Sequence, residues 1–311
     1  MRRAFVDALM QMAERDPRVV FLTGDLGYGV FDAYIARFGP RYVNVGVAEA
    51  QLVSAAAGLA LEGFRPLAYS IASFMTGRPL EQIRFCVGYP RLPVILVGAG
   101  GGYCYSTSGV SHHAPDDVAL MSLVPGMTVV VPGDPNEMRG LLPQLLKVDG
   151  PSYVRIGKFG EPAYESADPI VLGRARRLRD GEGLAVLSAG EMAPAVLDAA
   201  DRLAAENVRP LVYQFHTIKP VDAEALDALA RQVRTLVVVE EASPLGGLYA
   251  AVLAWRNEKG RDVDVIRLGP PDAFALGNLR RETLRQEYRF GPEAVADVCR
   301  EAARRGGLRQ R

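Results

Sequence analysis

Apolar runs of strand length alternate with amphipathic helical stretches along almost the whole chain, the pattern of a doubly wound α/β fold. In the first half the pattern predicts strands near Val19 to Thr23, Tyr42 to Val45, Pro66 to Ser70, Pro93 to Val97, Met127 to Val131 and Ser152 to Ile156, with helices between them. After Lys158 the alternation stops. The segment F-G-E-P-A-Y-E-S-A-D-P is polar, contains Gly and two Pro and has no period, which marks a linker. Alternation then restarts, with strands expected near Leu184 to Ser188, Pro210 to Phe215, Thr235 to Glu240 and Val263 to Leu268 and a helix from Met192 to Ala205. The expected organisation is two α/β domains, residues 1–160 and a smaller one at 171–311, joined by a linker at 161–170.

One segment departs from the ordinary mixture of polar and apolar positions. From Val43 to Leu61 the chain reads V-N-V-G-V-A-E-A-Q-L-V-S-A-A-A-G-L-A-L, and Glu49 is its only ionisable residue. Small side chains around it, with Gly46 and Gly58, suit a strand end that runs into a tightly packed helix. Burial disfavours an ionised carboxyl and raises its pKa, so Glu49 is a candidate for exchanging a proton with a bound heterocycle. A Glu in the first turn of a helix, favoured by the helix dipole, is the plainer alternative.

Composition narrows the field. Lys plus Arg and Asp plus Glu each total 36, and the pI is about 6.9, so charge draws the chain toward neither nucleic acid nor anionic membrane. Cys86, Cys104 and Cys299 are too scattered for a disulfide framework or a zinc site and fit a reducing compartment. Asp7, Gln11 and Glu14 interrupt the start of the chain, so a cytoplasmic protein is expected.

Gly98-Ala99-Gly100-Gly101-Gly102 follows an apolar strand, but it is not G-x-G-x-x-G and has no acidic partner about twenty residues on, which argues against a dinucleotide site. His112 and His113 lie in a Gly/Ser-rich loop beyond a strand end. Adjacent histidines point apart and make a poor metal pair, so substrate contact or proton transfer is the better reading. In Y-S-I-A-S-F-M-T-G-R, Phe74 is placed to stack on a flat heterocycle, with Arg78 one turn on.

Three segments, G-V-A-E-A-Q-L-V-S-A-A-A-G-L-A, Y-S-I-A-S-F-M-T-G-R-P-L-E-Q-I-R and G-V-S-H-H-A-P-D-D-V-A-L-M-S-L-V-P-G, resemble the pyrimidine-binding domain of transketolases in order and spacing. Downstream, G-R-A-R-R-L-R-D-G-E-G-L-A-V-L-S-A-G-E-M, H-T-I-K-P-V-D and V-V-V-E-E-A-S-P-L-G-G-L-Y resemble the transketolase C-terminal domain. The resemblance implies a thiamine diphosphate-dependent enzyme that transfers a two-carbon ketol or related acyl unit. It makes Glu49 the residue that shares a proton with N1′ of the cofactor's aminopyrimidine and Phe74 the ring stacked on it. Arg78 supports that pocket, and Leu26 and Asp25, in T-G-D-L, lie near the cofactor. His112 would face the substrate, with His113, Ser108 and Lys158 as further substrate contacts.

The family's G-D-G and distant Asn, which bind Mg²⁺ and the diphosphate, are missing; Gly24-Asp25-Leu26 supplies one hard oxygen ligand, too few for that site. No metal ligands are therefore assigned here. The chain resembles the C-terminal subunit of a split transketolase, which implies an N-terminal diphosphate-binding partner and an α2β2 assembly paired through pyrimidine-binding domains. Departures from sugar-phosphate transketolases are Gly100 for a histidine, Ser108 for an aspartate, Gly29 for a serine, Lys158 for an arginine and Ala242 in E-E-A for E-E-H. They suit a smaller, less polar or non-phosphorylated acceptor. The beta subunit of a 2-oxo acid dehydrogenase first component has similar length and order, but carries I-T-E-H where this chain has V-A-E-A. A scaffold that has lost its chemistry is the non-enzymatic alternative, against which the retention of Glu49 argues, because an unused buried carboxyl costs stability.

Overall fold

The computed structural model describes residues 1–158 and 160–309; Phe159, which opens the polar segment, and Gln310 and Arg311 lie outside the described residues. Six strands predicted from apolar runs form the first sheet: β1 (Val19–Thr23), β2 (Tyr42–Asn44), β3 (Arg65–Ile71), β4 (Ile95–Ala99), β5 (Thr128–Val130) and β6 (Ser152–Ile156). The second sheet contains β7 (Arg176–Arg179), β8 (Leu184–Ser188), β9 (Leu211–Gln214), β11 (Thr235–Val239) and β12 (Asp264–Leu268). A short strand from the second half, β10 (Thr217–Lys219), pairs antiparallel with β5 and so extends the first sheet to seven, in the order β10-β5-β6-β4-β3-β1-β2. The smaller sheet runs β12-β11-β8-β9-β7, parallel except for β7. Both are doubly wound α/β layers dominated by parallel pairs, as the alternation predicts.

Two strands were not predicted. β7 reads R-R-L-R and β10 only T-I-K, and each lies at a sheet edge, where charge and brevity replace the apolar run that marks a buried strand. The segment after 160 is pinned to the first sheet, because buried Tyr164 donates its backbone N–H to Asp134 Oδ2 at 3.1 Å.

The first sheet buries apolar residues on both faces. The helix Arg2–Arg15 covers one face with Phe5, Leu9 and Met12. The helix Glu49–Leu61 covers the other with Leu52, Val53, Ala56, Ala57 and Ala60, and its alanines let its backbone lie close to β3. That second core continues into the smaller sheet through Ala185, Leu187, Phe215 and Trp255, so the two halves share apolar packing. Among the described residues no helix is long and apolar enough to cross a membrane.

β1 lies between β2 and β3, with the crossover to β2 on one side and the later strands on the other. This makes a topological switch point beyond the carboxyl ends of β1 and β3, where an open α/β sheet leaves a crevice for a ligand. Register aligns Thr23 with Asn44 and Tyr69, Ile71 with Ala99, and Ala99 with Ile156. Loops 24–31, 45–48, 100–113 and 157–158 therefore emerge along one edge.

Candidate active site

Glu49 begins the helix that follows β2, and no side chain caps that helix at Ala48. Its carboxylate is 2% exposed and lies against the switch point. Two donors reach it: Ser70 Oγ, at the end of β3, donates to Oε1 at 3.1 Å, and Arg78 Nη1 donates to Oε2 at 2.8 Å. The sequence-level picture of a carboxyl alone among apolar groups therefore needs correcting. Ser70 and Arg78 come from a neighbouring strand and the turn beyond it, so only folding could pair them with Glu49.

Glycine backbones form the floor beside that carboxylate. A β-carbon on Gly24 would lie 3.3 Å from the Gly46 carbonyl oxygen and 4.0 Å from Glu49 Oε1, and Gly46 has φ +75°. Any side chain at position 46 would be strained in that left-handed conformation.

Phe74 stands in the helix Ala72–Gly77, directly after β3. The Arg78 guanidinium lies 3.9 Å from its ring centroid, and the His112 ring meets it edge-on at 5.0 Å. Arg78 thus links the carboxylate to the aromatic face while its side chain stays 47% exposed. His112 closes the short helical turn Val110–His112, and its Nδ1 lies 3.0 Å from Ser111 Oγ. Partial burial holds its pKa below the ordinary value, and the neighbouring His113 and Arg78 act in the same direction. A neutral imidazole is favoured there, able to accept or pass on a proton.

Folding brings Glu49, Phe74, Arg78 and His112 into one connected group. His113 instead turns inward, buried, with Nε2 3.0 Å from the Ser106 carbonyl and its ring edge-on to Tyr103 at 5.2 Å. Ser108 is exposed in the turn Ser106–Ser108. Lys158 places its ammonium 4.6 Å from the centroid of the Tyr105 ring. Asp25 is exposed with φ +57°, and its carboxylate accepts from Asn44 Nδ2 at 3.0 Å and Tyr28 Oη at 2.9 Å. Those bonds hold its pKa below the usual carboxylate value. Leu26 packs partly buried against the core under β1. Cys104 is packed beside Glu191, and burial pushes its thiol well above the ordinary value, which disfavours the thiolate.

Sequence reasoning did not single out Ser70, Asn44, Ser111 or Tyr105. A hydroxyl at the carboxyl end of an otherwise apolar strand was the available signal for Ser70. The other three take their meaning from cross-strand and loop contacts that no local pattern encodes.

The arrangement fits a flat, protonatable heterocycle. It offers a buried carboxylate for a ring nitrogen, an aromatic face, and glycine backbones that admit close approach. Among the described residues no group of three or more His, Cys, Asp or Glu side chains is gathered that could hold a metal ion.

Comparison with known proteins gives the family. The transketolase pyrimidine-binding domain matches residues 1–159 and the transketolase C-terminal domain matches residues 173–295. The chain is 33% identical to the 6-deoxy-6-sulfo-D-fructose transketolase subunit SqwH of Clostridium sp. (strain MSTE9), across 99% of this chain and 96% of that protein. It is 34% identical to an apulose-4-phosphate transketolase subunit of Phocaeicola vulgatus, across 89% of each. A solved structure described as a split gene transketolase, inactive beta4 tetramer, superimposes with a TM-score of 0.89 at 32% identity over 97% of both chains. The chain therefore belongs to the transketolase family, as the C-terminal subunit of a split transketolase.

Proposed function

We propose that this chain supplies the pyrimidine half of a thiamine diphosphate site in a transferase that moves a two-carbon ketol or related acyl unit between small carbonyl compounds. The observation that carries the proposal is the buried Glu49 carboxylate at the switch point, joined through Arg78 to the Phe74 ring, which in turn meets His112. When bound, thiamine diphosphate supplies the carbon nucleophile that carries the transferred unit. Glu49 holds and returns a proton at the ring nitrogen N1′, Ser70 fixes the carboxylate plane, and Phe74 orients the heterocycle. Arg78 completes the pocket wall. His112 faces the substrate oxygen that gains charge during transfer.

The diphosphate end requires a second chain, because Asp25 is the one hard oxygen ligand proposed in the loop beyond β1, with Leu26 as the apolar contact. A partner chain carrying G-D-G and a distant Asn would bring Mg²⁺ and hold the diphosphate. Exposed Leu61, Phe85 and Tyr89, beside the packed helix Glu49–Leu61, support an extensive interface, and we propose an α2β2 assembly with domains 1–160 paired at its centre. His113, Ser108 and Lys158 are assigned to the substrate side, His113 through the shape of its loop.

Reconstitution tests this reading. Mixed with its partner, Mg²⁺ and thiamine diphosphate, the chain should transfer ketol units, and Glu49→Ala should lower turnover by about 10²- to 10⁴-fold. Unchanged turnover in that variant would sink the assignment.

A further inference from the structure

Gly100, the first residue beyond β4, has φ +73°, and a β-carbon built there would lie 2.1 Å from Cε2 and 2.4 Å from Cδ2 of Tyr105. The Tyr105 ring thus occupies the space that a side chain at position 100 would need. It is held on two sides: its hydroxyl accepts from Arg2 Nη2 at 2.9 Å, and the Lys158 ammonium lies 4.6 Å from its centroid. Its third neighbour is the His112 ring, 6.0 Å away, which in turn meets Phe74. Phe74, His112 and Tyr105 therefore form a continuous row from the Glu49 pocket to the loop mouth.

We infer that Tyr105 is a specificity-determining residue, a fixed wall beside His112 that shortens the substrate pocket and selects short donors over longer ketose phosphates. This rests on the proposed ketol-transfer reading of the same site. The physical basis is steric. A ring anchored by a guanidinium at its hydroxyl and an ammonium on its face does not swing aside as a free aromatic would, because leaving would break both contacts. Gly100 contributes by having no side chain, which lets the ring settle against the backbone. The two cations also give this wall a positive potential, which favours a short donor that ends in a carboxylate.

The test uses the complex reconstituted with the diphosphate-binding partner, glycolaldehyde as common acceptor, and two donors: hydroxypyruvate, which releases CO₂ as it gives up its two-carbon unit, and fructose 6-phosphate. Wild type should favour hydroxypyruvate in kcat/KM by about tenfold or more. Tyr105→Ala should shift the ratio toward fructose 6-phosphate by about tenfold, and Tyr105→Leu, which keeps apolar bulk over Gly100, by less. Tyr105→Phe, which keeps the ring and the Lys158 contact but loses the Arg2 anchor, should shift the ratio by less than Tyr105→Ala. A wild-type preference for fructose 6-phosphate, or a ratio unmoved in both Ala and Leu variants, would overturn the inference. Thiamine diphosphate affinity, measured by calorimetry on the same complexes, separates the two levels: binding intact with an unmoved ratio defeats the role of Tyr105 alone, whereas no binding by wild type defeats the cofactor reading beneath it.

Discussion

Two charged clusters in this chain are built on opposite plans. Around Glu49 a buried carboxylate meets one hydroxyl and one half-exposed guanidinium, and the rings beside it line an open crevice. Between the two sheets, Glu241 accepts from Tyr103 N at 2.7 Å, from Arg281 Nε at 2.9 Å and from Arg285 Nε at 2.8 Å. Nearby, Asp117 accepts from Tyr153 Oη at 2.6 Å and pairs with Arg155, whose Nη1 also reaches the Glu241 carbonyl at 3.0 Å. In the second cluster all four carboxylate oxygens are taken up by donors shut away from solvent, with Arg285 Nη2 left without a partner, and the cluster clamps the halves together. The first leaves donor and acceptor capacity facing the crevice, which is what a binding site must keep in reserve.

The widest separation of the two plans is expected in stability. Glu241→Gln leaves Arg285 without its carboxylate and Arg281 with Glu191 alone, in a buried setting, and should cost about 3–5 kcal/mol in denaturant unfolding. Glu49→Ala leaves Arg78 with solvent access and should cost much less, while lowering turnover by about 10²- to 10⁴-fold. Equal losses of stability would erase the distinction.

Acid and base should also act on stability through buried groups outside the crevice. Burial pushes the Glu241 carboxyl upward, but Arg281 and Arg285 outweigh it and hold it at about 2 against 4.5. The stability it contributes is whole above 4.5 and is lost as pH falls toward 2. Buried His216, held at about 4 against 6.5 by burial and by Arg176, contributes stability that is whole above 6.5 and lost as pH falls through about 4. Glu240 has the opposite sign. Burial raises it from 4.5 to about 7, despite the Tyr249 and Leu248 N–H groups, so its contribution is whole below 4.5 and gone as pH rises past about 7. The melting temperature of Glu240→Gln should therefore gain on that of wild type as pH rises from 4.5 to about 7 and keep a constant offset above it, with the limb below 4.5 left in place; a curve matching wild type throughout would remove Glu240 from this account.

The smallest expected effect lies in the crevice. Ser70→Ala removes one neutral donor from Glu49 and should raise the activation barrier by about 1 kcal/mol, read as kcat in the reconstituted complex. A loss as large as that of Glu49→Ala would make Ser70 a participant in the chemistry rather than a prop for the carboxylate.

Much of this contrast was legible beforehand, and unevenly. The central strands β1 and β8 begin and end where their apolar runs do, because a strand buried on both faces is apolar almost throughout, and β6 keeps the predicted bounds although it carries Arg155, which Asp117 pairs. The edge strands β7 and β10 were invisible for the converse reason. Glu49 announced itself as a charge where none belonged, and Phe74 and His112 as aromatic and imidazole groups just beyond strand ends. Ser70 and Tyr105 carried no such mark, since a buried serine and a loop tyrosine are ordinary until their neighbours are known.

Periodicity along the chain was enough to set the two α/β layers and the position of Glu49 at the start of a small-residue helix, and the motifs carried the resemblance that the comparisons then bore out. Which groups meet was settled only by folding: Arg78 on Glu49, Tyr105 in the space above Gly100, β10 crossing to the first sheet, and Glu241 caught among arginines and reaching across 138 positions to Tyr103. The physical reason is range. Hydrophobic periodicity is a local property that a chain carries before it folds, whereas hydrogen bonds and ring contacts form over a few ångströms between residues that only the closed sheets bring together.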